Sequence, residues 1–303
     1  MSFFDHFFVI DWSSRAKPSP RKPSKDAIWL AEGAAAGAGR MTTKYFRTRQ
    51  GCYDYVVKRL KALAARKKRV LVGWDFAFGY PKGLAKAANM KGKPAWRAVW
   101  KYLDKHIVDK ADNHNNRFSV GGDLNRRITG GSGPFWGVPA GQSGVFLGAK
   151  KDFSYPVRNK RASLEERRIV ERRVKRAQSP WKLAYTGSVG SQSLLGIPRL
   201  DQLLRKEPKL KEHTEVWPFT TRFADQLPAG APLILHVEIY PSTVEVSGKD
   251  KILDRDQVQS YLKWLRNQQA KGRLAKLLAG PEDLTAKERK QAIRHEGWIL
   301  GVK

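Results

Sequence analysis

Three apolar runs in this chain read as core strands, and each brings a carboxylate into that setting. The runs are FFDHFFVID (3–11), VLVGWDFAF (70–78) and APLILHVEIYP (231–241). The acids are Asp11 at the end of the first, Asp75 inside the second and Glu238 inside the third. An acid in a strand covered on both faces is expensive unless it is paired or bound to a cation, because its charge loses water. If the strands are neighbours, their acids converge and repel. A divalent ion resolves that repulsion, and an all-oxygen donor set selects Mg²⁺ or Mn²⁺. Two such ions can activate a water and stabilise the leaving oxygen in phosphodiester cleavage. A further acidic stretch, LDRDQV (253–258), opens a helix and offers Asp254 and Asp256. Each acid also has a plainer reading. Asp11 precedes Trp-Ser-Ser and could form a turn, Asp256 could cap its helix, and Glu238 could pair with one of the many arginines.

The remaining pattern is α/β. A basic, Pro- and Ser-broken loop, RAKPSPRKPSK (15–25), follows the first run. AIWLAE (27–32) and residues 41–47 read as two further strands, giving a meander. Residues 52–66 have helical spacing, and the buried-type run at 70–78 follows at once. The middle, about 83–211, is rich in Trp and glycine stretches, with helices expected near 94–109 and 163–177. No linker-like composition brackets it, so it reads as an elaboration of the sheet. Helices at about 255–269 and 284–295 close the chain. The expectation is a single domain, 1–303, with its core in 1–82 and 212–303.

Lys+Arg number 58 against 28 Asp+Glu, a net charge of +30. Such a field attracts polyanions, and nucleic acid is the partner it suits best. Full disorder is excluded by 11% aromatic residues. No apolar run approaches the ~18 residues of a membrane span. The single cysteine, Cys52, excludes an internal disulfide and a cysteine metal cluster, and a reducing, cytoplasmic setting follows. The histidines lack zinc-like spacing. Candidate contacts to a phosphate backbone are Lys17, Arg21 and Lys22 in the basic loop, and Arg168 and Arg172 in the basic segment 158–176. Arg117 in NHNNRF (113–118) belongs either with them or in a structural polar network. In GSVGSQ (187–192), Ser188 and Gly190 could present backbone N–H groups to a phosphate, or form a tight turn before a close-packed helix.

DWSS (11–14), AIWLAE (27–32), GWDFAFGYP (73–81), EIYPS (238–242) and EGWILG (296–301) resemble a bacterial family of uncharacterised proteins, expected from their fold to be nucleases. NHNNRF, GPFWG (133–137), GSVGSQSLLGIP (187–198) and VWPF (216–219) fit the same pattern. The resemblance implies a ribonuclease H-like fold, a mixed β-sheet flanked by helices, here with a large helical and loop insertion. It implies Asp11 as the central ligand bridging two Mg²⁺ or Mn²⁺ ions, and Asp75 and Glu238 as outer ligands. Asp254 would be the last carboxylate, with Asp256 the alternative, and Glu296 would either close the site or only cap the last turn. The chain is about twice as long as a simple ribonuclease H domain, the excess lying between Asp75 and Glu238. The expected activity is metal-dependent cleavage of nucleic acid. The alternatives are a non-catalytic nucleic-acid-binding protein on the same fold and a phosphotransferase of the sugar-kinase/actin type. The second is disfavoured by a single copy of the core.

Overall fold

The computed structural model describes residues 3–37, 39–185 and 187–303. The chain opens with β1 (His6–Asp11), β2 (Ile28–Ala34) and β3 (Thr42–Phe46), then α1 (Arg49–Ala65) and β4 (Arg69–Asp75). The middle contributes α2 (Leu84–Ala87), α3 (Ala95–His106), α4 (Arg117–Thr129), a two-residue hairpin pair β5 (Val157–Arg158) and β6 (Ser163–Leu164), α5 (Ile169–Arg173), α6 (Gly190–Lys206) and α7 (Pro208–Lys211). Then follow β7 (Thr214–Val216), β8 (Leu233–Glu238), α8 (Leu253–Ala270), α9 (Leu274–Leu278) and α10 (Ala286–Gln291).

Six strands form one mixed sheet in the order β3-β2-β1-β4-β8-β7. β1, β2 and β3 run antiparallel, while β4 runs parallel to β1, β8 to β4 and β7 to β8. The parallel strands β4 and β8 are nearly all buried, as their unalternating apolar sequences require. Because β1, β4 and β8 point the same way, the acids at their carboxyl ends gather on one edge of the sheet.

Each sheet face has its own core. One joins Phe8, Ile10, Val72 and Trp74 to α1 and to Trp100, Leu124 and Leu195 of the middle segment. Residues 83–211 therefore share a core with the sheet. The other joins Val9, Leu71, Val237 and Ile239 to Val258, Tyr261 and Leu265 of α8, and to Trp298 near the C-terminus. Gly73 makes this second face possible, since a Cβ there would meet Ile239 Cγ2 at 2.8 Å. Among the described residues, no helix is long and apolar enough to cross a membrane.

Two elements differ from the sequence expectation. The strand at Thr214–Val216 is too short to announce itself. The helix expected over 163–177 is reduced to the five residues of α5. Its apolar positions have helical spacing, but Arg168 and Glu171 are drawn into the interior by an ion pair, and the chain turns extended at Val174.

Candidate functional site

Asp11 and Asp75 are register partners at the ends of β1 and β4. Partners in a parallel pair share a face, and here it is the face covered by α8. The first turn of α8 carries Asp254, which adds to the negative potential at Asp11. Asp26 joins them unannounced by the sequence. The basic loop returns the chain to the site, where Asp26 adopts φ 55°, donates its N–H to Asp254 Oδ2 at 2.6 Å and accepts from Ser13 Oγ through its carbonyl. Its charge is felt at both Asp11 and Asp254.

The electrostatics are those of crowded acids without a base. Burial, followed by the charges of Asp75, Asp254 and Asp26, raises Asp11 well above the carboxylate range. Burial, followed by Glu238 and Asp254, pushes Asp75 up to about 8. Asp254 is raised mainly by burial, with the Asp26 N–H opposing. Neither Asp11 nor Asp75 accepts a side-chain hydrogen bond or pairs with a cation among the described residues. That isolation occurs in a chain with a net charge of +30.

Glu238 is one residue out of phase. Its register partner on β4 is Trp74, not Asp75, so its side chain leaves the sheet on the opposite face. There it is paired with Arg168, whose Nη1 and Nη2 donate to the two carboxylate oxygens at 2.8 and 2.5 Å. Arg168 is 1% exposed; it also binds Glu171 through Nε and the Glu296 carbonyl through Nη1. Burial opposes the guanidinium charge, but Glu171 and Glu238 outweigh it. The Phe78 N–H completes the Glu238 shell.

The two remaining acids serve the fold. Asp256 accepts from Ser247 Oγ at 2.6 Å and the Gly248 N–H at 2.8 Å; burial alone would raise its pKa, and these bonds hold it low. Glu296 accepts from the backbone of Lys82 and Ile169 and from Gln291, tying the C-terminal segment to the loop after β4. Gly79 permits that approach, because a Cβ would lie 2.5 Å from the His295 carbonyl oxygen.

The basic candidates divide. Lys17, Arg21, Lys22 and Arg172 are exposed. Arg168 is consumed by its ion pairs, and Arg117 is buried against Ser191 and Asn115. Arg117 therefore belongs to the structural network that the sequence left as an alternative. Burial, then Arg49 close by, lowers its pKa to about 10. Ser188 and Gly190 donate their N–H groups to Tyr185 and Lys182 carbonyls, which leaves neither free for a phosphate. Gly190 is there for packing; a Cβ would lie 2.5 Å from the Pro180 oxygen.

The basic loop itself is held firmly by Arg49, which is fully buried. Its Nη1 donates to the Ser13 and Arg15 carbonyls, Nη2 to the Asn113 carbonyl, and Nε and Nη2 grip Asp109. Asn113 in turn donates to the Lys17 carbonyl. An arginine inside the α1 sequence gives no sign of this role.

Among the described residues, no group of three or more His, Cys, Asp or Glu side chains is placed so that it could hold a metal ion. A cavity of about 830 Å³ lies elsewhere, between α8, α9 and the C-terminus, and is lined by none of Asp11, Asp75, Glu238 and Asp254. No family model, curated protein or solved structure matches the chain.

Proposed function

We propose that the protein is a metal-dependent nuclease whose paired Asp11 and Asp75 take Mg²⁺ or Mn²⁺, with the charge of Asp254 close by. One observation carries the reading: Asp11 and Asp75 stand side by side without a base in a strongly basic chain. Elsewhere in the molecule Glu238 and Glu32 each have a basic partner, whereas among the described residues Asp11 and Asp75 have none. The donor set fits a small, hard cation. Mg²⁺ keeps several waters and is held by one or two carboxylates plus substrate phosphates, so an open pair of acids suits it better than a closed cage would. A bound ion would polarise the phosphoryl oxygen and lower the pKa of a coordinated water.

The chain's own residues supply the rest. Asp11 and Asp75, from two strands of one sheet, supply the donor oxygens, and Asp254, in the first turn of α8 and held by the Asp26 N–H, adds its charge. The loop from Ser13 to Lys25 is rooted beside them and presents Lys17, Arg21 and Lys22 to solvent, where they would bind a phosphate backbone. The meander β1–β3 followed by parallel β4 and β8 supports the ribonuclease H-like reading of the sheet. A single such sheet argues against the sugar-kinase type, and an open site beside a basic loop suits a polymer.

The test is incubation with labelled single- and double-stranded DNA, RNA and an RNA–DNA hybrid in Mg²⁺, Mn²⁺ or EDTA. Asp11→Asn and Asp75→Asn run alongside. Metal-dependent cutting that disappears in both variants is the expected result. Salt-sensitive binding with no cutting under any metal would replace the nuclease with a non-catalytic nucleic-acid-binding protein.

A further inference from the structure

We infer that the middle segment carries a nucleic-acid contact of its own, a basic concavity between α2, the start of α3 and the β5–β6 hairpin that holds a phosphate backbone. This rests on the nucleic-acid partner proposed above, but not on cleavage. The cavity, about 470 Å³, is lined by Lys86, Lys91, Lys93 and Arg161, together with Asn89 and no acid. All four cations are exposed, and none pairs with a carboxylate among the described residues. The cations of the neighbouring helices differ: Arg97, Arg199 and Arg205 each have an aspartate partner. Four like charges around one hollow form a field that favours entry of an anion.

Two distant stretches of chain are fixed together to make this hollow. Asn159 pins the hairpin tip: its Oδ1 accepts the Arg161 and Ala162 N–H groups at 2.8 and 2.9 Å, and its Nδ2 donates to the Ala87 and Ile128 carbonyls at 3.0 and 2.9 Å. The backbone of Arg161 is thereby held against the end of α2. Gly83 keeps the two in contact, since a Cβ there would lie 3.2 Å from that of Ala162. On the other wall, α3 starts behind Pro94, which has no capping side chain, so the first N–H groups of the helix add positive partial charge. The partner follows from what lines the site. Lys and Arg bind phosphates without reading sequence, and no aromatic ring is present for a base to stack on. Exposed Arg158 and Lys160 extend the positive surface along the same hairpin, which suits a strand better than a single free phosphate.

The test is fluorescence anisotropy of labelled single- and double-stranded DNA on the full chain in EDTA, at several salt concentrations, so that no cutting enters the readout. The variant Lys86→Gln/Lys91→Gln/Lys93→Gln/Arg161→Gln empties the hollow of charge. Lys58→Gln/Arg66→Gln/Lys209→Gln/Lys211→Gln removes the same charge from exposed positions elsewhere. At about 0.9 per phosphate contact on a duplex, or about 0.7 on a single strand, the first variant should flatten the slope of log K against log salt by roughly 3–4 or roughly 3. The second should change it by less than about 1. Thermal melts of both are expected to match wild type, because all eight side chains lie in solvent. Equal flattening in the two variants would reduce the effect to net charge and overturn the inference, as would an unchanged slope in the first. Release of the DNA by inorganic phosphate at constant ionic strength would show a site for the free ion and overturn the strand. Those three results leave the carboxylate site as it was. A wild-type chain that binds neither DNA, in EDTA or in Mg²⁺, would overturn both the concavity and the nucleic-acid partner.

Discussion

Asp11 and Asp75 face the same side of the sheet as direct partners on adjacent parallel strands, and neither meets a base among the described residues. Burial and the neighbouring acids raise both carboxyls, so in the metal-free chain the pair holds a proton more readily than free aspartates do. The fold tolerates this conflict because the strands are fixed from both sides by well-packed cores.

Removing one of the charges should stabilise the metal-free protein. Asp75 is raised to about 8 from an ordinary aspartate value, so the folded chain binds this proton more tightly than the unfolded one. Its favourable contribution is complete in acid, below the unfolded pKa, and is lost as pH rises through about 8. Asp75→Asn is therefore expected to raise the urea midpoint in EDTA clearly near pH 8 and far less near pH 4. With Mn²⁺ present the order should reverse, because only the wild-type chain gains binding energy. An Asp75→Asn midpoint in EDTA below wild type at pH 8 would contradict the account.

Glu32 has the opposite pH signature. It is 4% exposed, and burial alone would raise it; hydrogen bonds from His6, Arg59 and Tyr55 win and lower it to about 2. Its contribution is present above the unfolded value near 4.5 and is lost as pH falls towards 2. Glu32→Gln should cost about 2–4 kcal/mol at pH 7, somewhat less than a fully buried pair because Arg59 is half open to water. The cost should shrink steadily below pH 4. A penalty that is equal at pH 3 and pH 7 would mean that packing, not charge, sets it.

The sequence made some of this legible and hid the rest for physical reasons. Asp11 and Asp75 could be singled out as candidates because a lone acid within or ending a buried run has few explanations. Glu238 looked equivalent, but its strand is apolar on both faces, so nothing in LILHVE tells which face a given residue takes. Only the register against β4 decides, and a single-residue offset moves the side chain across the sheet. Asp26 was invisible because its role comes from the return path of a loop, not from local pattern. The pairing of Glu238 with an arginine was open from the start, but the partner, 70 residues away in a segment with helical spacing, required the fold.

Arg49 is the hinge pin of the basic loop, and its loss should release that loop selectively. Its guanidinium donates to two loop carbonyls and bidentately to Asp109. Lysine cannot reproduce that fork, so Arg49→Lys should behave like Arg49→Ala rather than rescue it. Both are expected to destabilise by about 3 kcal/mol or more, since Asp109 and Asn113 lose a buried partner. In limited trypsin digestion of the native protein, the first new cuts should fall between Arg15 and Lys25. Cuts that begin elsewhere would show that the loop is held by other contacts.

Salt dependence separates the exposed cations from the buried ones. If Lys17, Arg21 and Lys22 each meet a phosphate, every charge removed should lower the slope of log K against log salt by about 0.9 on duplex DNA, or about 0.7 on a single strand. The triple variant to Gln should therefore flatten the slope by roughly 2–3 with the melting temperature unchanged, because all three side chains lie in solvent. Arg117→Gln is the counter-case. Arg117 is buried against Ser191 and Asn115, so its substitution should lower stability through the lost hydrogen bonds and leave the salt slope as it was. Binding isotherms at several salt concentrations, with a thermal melt of each variant, measure both quantities. A slope that responds to Arg117 but not to the loop cations would move the nucleic-acid path away from the carboxylates and detach it from the proposed site.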